Sequence, residues 1–204
     1  FKNNKITDDW NPLNILSVDA ATVGSFDLDI IDPSNKLLDD LNENKFEIVY
    51  LLGQDNFNFK KKNEFVIYQG SHGDNGAEIA DIILPGAAFT EQSGHYTNLE
   101  GKIQKTYKAS YPPGDAKEDW QIINDLAEVM NNRKLFNDKD ELESSMFNYL
   151  KLKKEQKKSD LPNKIIQSNF ENENLNIKFK DYYFSNVIAR SSKTMVECNN
   201  SKID

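Results

Sequence analysis

Three apolar runs, each closed by a glycine, organise the first half of the chain: FEIVYLLG from Phe46 to Gly53, EFVIYQG from Glu64 to Gly70, and ADIILPG from Ala80 to Gly86. Apolarity in them is continuous rather than alternating. That is the pattern of strands covered on both faces, and it predicts a parallel sheet inside an α/β layer structure. The connections between the runs are short, so other elements must help to cover the sheet; where this chain lacks them, a partner supplies them. A half-polar β-hairpin is predicted from Gly94 to Thr106, with Gly101 as the permissive turn residue.

Helical periodicity appears on either side of this block. From Asn11 to Gly24, residues Leu13, Ile15, Leu16, Val18 and Val23 form a loosely helical pattern, with Pro12 in the first turn and Gly24 as the stop. A brief helix is predicted around Leu37 to Leu41. Pro112, Pro113 and Gly114 break the chain before Asp115, which can cap a helix with Glu118 answering from the third position. Trp120, Ile123, Leu126, Ala127 and Met130 then recur as a core stripe. A further helix begins near Asp138 with Glu141 behind it, sets Leu142, Met146 and Leu150 on one face, and fades into the lysine run Lys151 to Lys158. Residues 159–176 are polar and linker-like. Beyond them Tyr182, Tyr183, Phe184, Val187 and Ile188 form an apolar anchor, as in a terminal segment that docks on another surface. The division predicted is an α/β domain over residues 1–150 and a linker with a docking extension over 151–204.

Composition narrows the function classes. The chain has 204 residues, 38% of them apolar, and a formal net charge of −8, with an isoelectric point near 4.9 and a mean hydropathy of −0.70. An acidic excess disfavours nucleic acid, which needs a clustered basic face. The lysine run is the one local exception, and it suits a solvated helix end better than a phosphate or lipid-headgroup patch. No window reaches the eighteen apolar residues of a membrane span. Cys198 stands alone, so neither an internal disulfide nor a four-thiolate cluster can form within this sequence. With only His72 and His95 beside it, and neither C-x-x-C nor H-E-x-x-H present, the pattern argues against a metal site. The sequence opens on Phe1 without a methionine, as a processed or partly represented chain would. Lysine is abundant while arginine occurs only at Arg133 and Arg190, a bias that suits an A/T-rich coding source such as an organelle or a reduced genome.

The loop YQGSHGDNGAE holds Gly70, Gly73 and Gly76 directly after a predicted strand. Its G-x-x-G-x-x-G spacing is not the dinucleotide fingerprint, and Asp74 and Glu78 would repel phosphate, so tight-turn packing is the preferred reading. His72 has no serine or cysteine nucleophile in a recognisable motif beside it, which favours hydrogen bonding within the loop. Glu91 and Glu100 could pose as a proton-transfer pair, but carboxylates across a hairpin are common surface chemistry. Residue chemistry alone therefore reaches an α/β domain with a glycine-rich loop and a hairpin, without a catalytic set.

The stretch from Val66 to Trp120 resembles the C-terminal region of the family of 75-kDa iron–sulphur subunits of respiratory complex I, the proton-pumping NADH:ubiquinone oxidoreductase. The residues that carry the resemblance are Tyr68, Gln69, Gly70, His72, Gly73, Asp74, Ala80, Asp81, Leu84, Pro85 and Gly86. NPLNILSVDAATVGSFDL upstream and IKFKDYYFSNVIARSSKTMVEC near the end are similar to the family's flanking segments, so the resemblance spans most of the chain. It is poorest between Lys134 and Asn176.

The resemblance implies a molybdopterin-oxidoreductase-like parallel-sheet α/β fold from which the molybdenum cofactor has been lost. The ADIILPGAAFTEQSG floor and the YTNLEGKIQ hairpin, Tyr96 to Gln104, would then be walls kept for architecture. In true molybdopterin enzymes such as formate dehydrogenases the equivalent region approaches the pterin. No residue of this chain is implied as catalytic, cofactor-binding or metal-ligating. The iron–sulphur clusters are expected in the N-terminal portion of the subunit, on a partner chain of a split subunit or on a part not represented here. Implied partners are that cluster-bearing part and the neighbouring peripheral-arm subunits, with no nucleic acid and no membrane insertion. The implied place is the matrix side of the mitochondrial inner membrane, or the cytoplasmic face in a bacterial relative. Two rival readings stand beside this scaffold: a fragment of an active molybdopterin oxidoreductase, and a free-standing anion-binding module using the Gly70 to Gly76 loop.

Overall fold

A computed structural model describes residues 22–31, 36–57, 59–157 and 182–201, with the main chain only at 154–157. In chain order the elements are α1 (Thr22–Asp27), α2 (Leu37–Asn42), β1 (Ile48–Leu52), β2 (Phe65–Gly70), α3 (Asn75–Glu78) and β3 (Ile82–Pro85). There follow β4 (Gly94–Thr97), β5 (Ile103–Thr106), α4 (Asp119–Asn131), α5 (Lys139–Lys157), α6 (Val187–Ser191) and α7 (Lys193–Asn200). They fall into two compact units: Phe1–Ile31, His95–Lys105 and Phe136–Lys178 in one, Asp32–Gly94, Thr106–Leu135 and Phe179–Asp204 in the other.

The larger unit is built on a three-stranded parallel sheet of order β1-β2-β3, as the three apolar runs predict. Side chains alternate between the two faces of a strand. Leu51, Val66 and Tyr68 are buried on one face, where Val49, Phe57, Phe59, Ala77, Ile79 and Ala80 pack against them. The other face departs from the expectation of burial on both sides. Ile48, Leu52, Phe65 and Ile82 are exposed there, Ile48 at 63%, because both short connections supply their apolar residues to the Tyr68 face. On the uncovered side α4 protects the carboxyl end of β2, so Gln69 is fully buried while Phe65 at the other end is not.

The start of α4 differs from prediction. Glu118, not Asp115, is the N-cap, and Gln121 completes the capping box. The intervening backbone is used by the sheet: Lys117 N donates to Pro85 O at 3.2 Å and Ala87 N to Lys117 O at 2.8 Å. A helix begun at Asp115 would forfeit those bonds. The buried face of α4 is accordingly Ile122, Asn124 and Ala127, whereas Ile123 and Met130, placed in the predicted stripe, are exposed.

The smaller unit holds α1, α5 and most of the β4–β5 hairpin. Gly101 has φ +80, and Asn98 Oδ1 accepts from the Glu100 and Lys102 amides at 3.1 and 2.8 Å, which fixes the turn as the sequence predicts. Gly24 does not stop α1; it lies inside the helix. A Cβ at Gly24 would sit 2.9 Å from Thr97 Oγ1, so the glycine allows close approach of helix and strand. The turn that ends α1 is made by Asp29 at φ 56. Residues 11–21 of that predicted helix lie outside the described residues. In α5, Asp138 Oδ1 accepts from Glu141 N at 2.8 Å and Leu150 is buried. The helix does not fade at Lys151; it runs to Lys157. The linker predicted over 159–176 lies outside the described residues.

Candidate functional site

Two polar constellations mark the carboxyl end of the parallel sheet, both within the larger unit. The first is centred on Gln69. Tyr50 OH donates to Gln69 Oε1, and Gln69 Nε2 donates to Asp119 Oδ1 at 2.7 Å. Gln92 Nε2 donates to Asp119 Oδ2 at 2.9 Å, and Asp119 N returns a bond to Gln92 Oε1 at 3.3 Å. The Tyr50 phenol is pushed up by burial, and further by the Asp119 charge. Glycines are required beside it: a Cβ at Gly86 would lie 2.9 Å from Asp119 Oδ1 and 3.5 Å from the Gly70 backbone. Two of the quoted motifs, Tyr68-Gln69-Gly70 and Leu84-Pro85-Gly86, thus meet at one junction that fastens α4 to the strand ends. Its donors and acceptors satisfy one another.

The second constellation occupies the loops that follow β1 and β2. Tyr68 is 1% exposed and its hydroxyl donates to His72 O at 2.6 Å. Burial, then the charges of Asp55 and Asp74, push the phenol up to about 12, against a smaller opposing effect of Arg190. His72 Nδ1 lies 2.9 Å from Ser71 Oγ, so the ring bonds within the loop. Asp74 caps α3 through the Asn75 amide at 2.9 Å. Gly76 N donates to Asp55 O at 2.9 Å, and a Cβ at Gly76 would lie 2.5 Å from Gln54 O; the two loops touch there without room for a side chain. Across both reaches Arg190 of α6. Its Nε donates to Asp74 Oδ2 at 2.9 Å and its Nη2 to Asp55 Oδ2. Its Nη1 donates to Phe184 O at 3.4 Å.

The smaller unit carries the other histidine. His95 packs edge-on to Phe147 with ring centroids 5.2 Å apart, and its Nδ1 is 4.0 Å from Glu143 Oε1. Lys105 Nζ donates to Glu143 Oε2 at 2.8 Å, a bond that holds the Glu143 carboxyl below its ordinary value against the effect of burial. A cavity of about 180 Å³ lies alongside, lined mainly by Gly24, Leu28, His95, Ile103, Met146 and Leu150.

The remaining sequence candidates do not assemble a centre. Glu91 Oε2 accepts from Ala88 N at 3.0 Å, Glu100 is exposed in the hairpin turn, and the two belong to different units. Cys198 is a half-buried free thiol in α7. Among the described residues no group of three or more His, Cys, Asp or Glu side chains could hold a metal ion. Tyr182 of the apolar anchor is exposed, while Tyr183, Phe184, Val187 and Ile188 are half-buried. Sequence reasoning missed Asp55, Asp119 and Arg190 as the organising side chains. None was among the residues named as carrying the resemblance, although Asp119 lies within the Val66 to Trp120 stretch and Arg190 within IKFKDYYFSNVIARSSKTMVEC. A molybdopterin cofactor is an anion through its phosphate. The carboxyl end of β1 and β2 offers it two carboxylates and a guanidinium already committed to both, so these residues do not fit that group.

Comparison with known proteins bears directly on this geometry. The molybdopterin oxidoreductase family profile matches residues 1–129, and a profile for the C-terminal domain of an NADH-ubiquinone oxidoreductase subunit matches residues 141–198. The chain is 39% identical to the NADH-ubiquinone oxidoreductase 75 kDa subunit of Reclinomonas americana, across 98% of this chain and 30% of that protein. It is 36% identical to the mitochondrial NADH-ubiquinone oxidoreductase 78 kDa subunit of Neurospora crassa, across 98% of this chain and 28% of that one. Against the mitochondrial NADH dehydrogenase [ubiquinone] iron-sulfur protein 1 of Solanum tuberosum the identity is 43%, across 62% of this chain and 17% of the other. The chain thus spans less than a third of the length of each of these relatives.

Proposed function

This chain belongs to the molybdopterin oxidoreductase family, and from that premise we propose that it is a structural C-terminal portion of the 75-kDa subunit of respiratory complex I. It scaffolds the peripheral arm that passes electrons from NADH to ubiquinone and contributes no catalytic, cofactor-binding or metal-ligating residue of its own. The observation that carries this reading is the order of the two profile matches, with the C-terminal domain of an NADH-ubiquinone oxidoreductase subunit at 141–198 directly after a molybdopterin-type domain at 1–129. The internal bonding at the strand ends supports it, because Gln69, Asp119 and Arg190 spend their hydrogen bonds on holding elements together.

The rest of the reading follows from that role. Iron–sulphur clusters reside in the N-terminal portion of the subunit, and that portion and the neighbouring peripheral-arm subunits are the permanent partners. Residues 1–150 form the α/β part and 151–204 the docking extension. No described helix is long and apolar enough to cross a membrane, which suits a peripheral position on the matrix side of the mitochondrial inner membrane. The exposed sheet face with Ile48, Phe65 and Ile82 is an apolar surface of the kind that permanent partners cover.

The match to the molybdopterin oxidoreductase profile favours one alternative, a fragment of an active molybdopterin-dependent oxidoreductase such as a formate dehydrogenase. One experiment separates them. The chain is tagged in its native cell, the particle purified, and its polypeptides and metals measured together. The scaffold reading predicts co-purification with cluster-bearing subunits and NADH:ubiquinone reductase activity, with iron and without molybdenum. Stoichiometric molybdenum, or a particle lacking that activity, overturns it.

A further inference from the structure

We propose that the segment containing α6 and α7 is a strap: Arg190 seats its guanidinium in a carboxylate fork made by Asp55 and Asp74, filling the carboxyl end of the parallel sheet with the chain's own cation. The inference rests on the geometry of the larger unit and stands whether or not the scaffold reading does. Open α/β sheets present their ligand-binding groups on the loops at the carboxyl ends of their strands. Here those loops are 53–57 after β1 and 71–76 after β2, and the two strands run parallel. Anion sites at such ends use glycine-rich loops and backbone amides. These loops have the glycines, yet the side chains they carry there are acidic, and Asp74 already spends one oxygen on the first amide of α3.

What fits two carboxylates is a planar fork of donors. Arginine supplies one, and a single guanidinium can bond two carboxylates at once, which an ammonium on a flexible stem does poorly. Arg190 does so through Nε to Asp74 and Nη2 to Asp55. Its side chain is 21% exposed, and those of Asp55 and Asp74 are 16% and 26% exposed, so the cluster is largely screened from water and its bonds are worth more than surface ion pairs. The strap is positioned for the task by its own caps. Asn186 Oδ1 accepts from Ala189 N at 2.9 Å to start α6, and Ser192 starts α7 by accepting from Met195 N at 3.5 Å. Phe184 O accepts the remaining guanidinium edge. The fork thus ties residues 182–201 to two loops more than a hundred positions earlier in the sequence.

The test is hydrogen exchange followed by mass spectrometry on the full chain, comparing the parent with Arg190→Ala and Arg190→Lys. Arg190→Ala is expected to accelerate exchange about tenfold or more in peptides covering 182–201 and in the loops 53–57 and 71–76. The α4 peptide, 119–131, should stay within twofold. Arg190→Lys should fall between the two, since it keeps the charge and loses the fork. Methylguanidinium added to Arg190→Ala should restore protection in the loops 53–57 and 71–76 but not in 182–201, to which it has no covalent link, whereas methylammonium at equal concentration should restore neither. Exchange unchanged in 182–201, acceleration spread equally through α4, or equal rescue by the two cations would each overturn the proposal.

Discussion

Removing one carboxylate at the start of α4 tests whether the Gln69 junction holds the larger unit together. In Asp119→Ala, the Gln69 amide loses its 2.7 Å partner at a side chain with 0% exposure. A hydrogen bond to a charged group contributes about 1.5–3 kcal/mol. The Gln92 bond at 2.9 Å is half-buried and adds about 0.5–1 kcal/mol, while a carboxylate in the first turn of a helix adds about 0.3–1 kcal/mol. The 3.3 Å contact from Gln69 Nε2 to the residue 119 carbonyl survives, which places the expected loss near about 2–4 kcal/mol. For a chain of this size that corresponds to a fall in Tm of roughly 4–16 °C. Urea unfolding and thermal melting of the full chain measure it. Asp119→Asn, which keeps one oxygen facing Gln69, should lose less than half as much. Asp125→Ala is the control: its 2.7 Å pair with Lys117 is exposed, with side chains 47% and 54% accessible, and its loss should leave Tm nearly unchanged. A Tm for Asp119→Ala no lower than that of Asp125→Ala would refute the reasoning.

Three other outcomes are expected. Gly76→Ala should cost about 1–3 kcal/mol by overpacking, since its Cβ would meet the Gln54 carbonyl oxygen at 2.5 Å; Gly73→Ala, with open space around it, is the comparison in the same urea titration. In the hairpin, Asn98→Ala should fray the turn and raise exchange at the Glu100 and Lys102 amides, because Asn98 Oδ1 accepts from both, and unchanged rates would count against that role. Asp81 accepts from Lys61 Nζ at 2.6 Å and from Val66 N at 2.8 Å, which lowers its pKa from the ordinary 3.8. Its folded value lies below its unfolded one, so its stabilisation is complete above pH 3.8 and is lost as pH falls through the lower folded value. The Tm difference between the parent chain and Asp81→Asn should therefore stay level from neutral pH to about pH 5 and shrink below pH 3.8; a difference that grows on acidification would contradict the assignment.

The local pattern by itself determined much of this molecule. The β1, β2 and β3 runs were legible because continuous β-branched and aromatic stretches bounded by glycine leave the backbone few alternatives. The β4–β5 hairpin and its Gly101 turn followed from a glycine where φ must be positive. The family was legible too, in the residues from Tyr68 to Gly86. What the sequence could not set was the use made of those residues, since that depends on partners distant along the chain. Asp115 looked like a helix cap and was displaced because Lys117 pairs with β3. Gly24 looked like a helix stop and serves instead as the bare surface that admits Thr97. The stripe on α4 was legible only in part: Ala127 is buried as placed, but Ile122 and Asn124 join it in place of Ile123 and Met130, and Asn124 is held there by accepting from Leu135 N at 2.8 Å. Gln69 meets Asp119 across fifty positions and Arg190 meets Asp74 across 116. Only tertiary structure decides such pairings, because a hydrogen bond between distant side chains leaves no periodicity for a sequence to display.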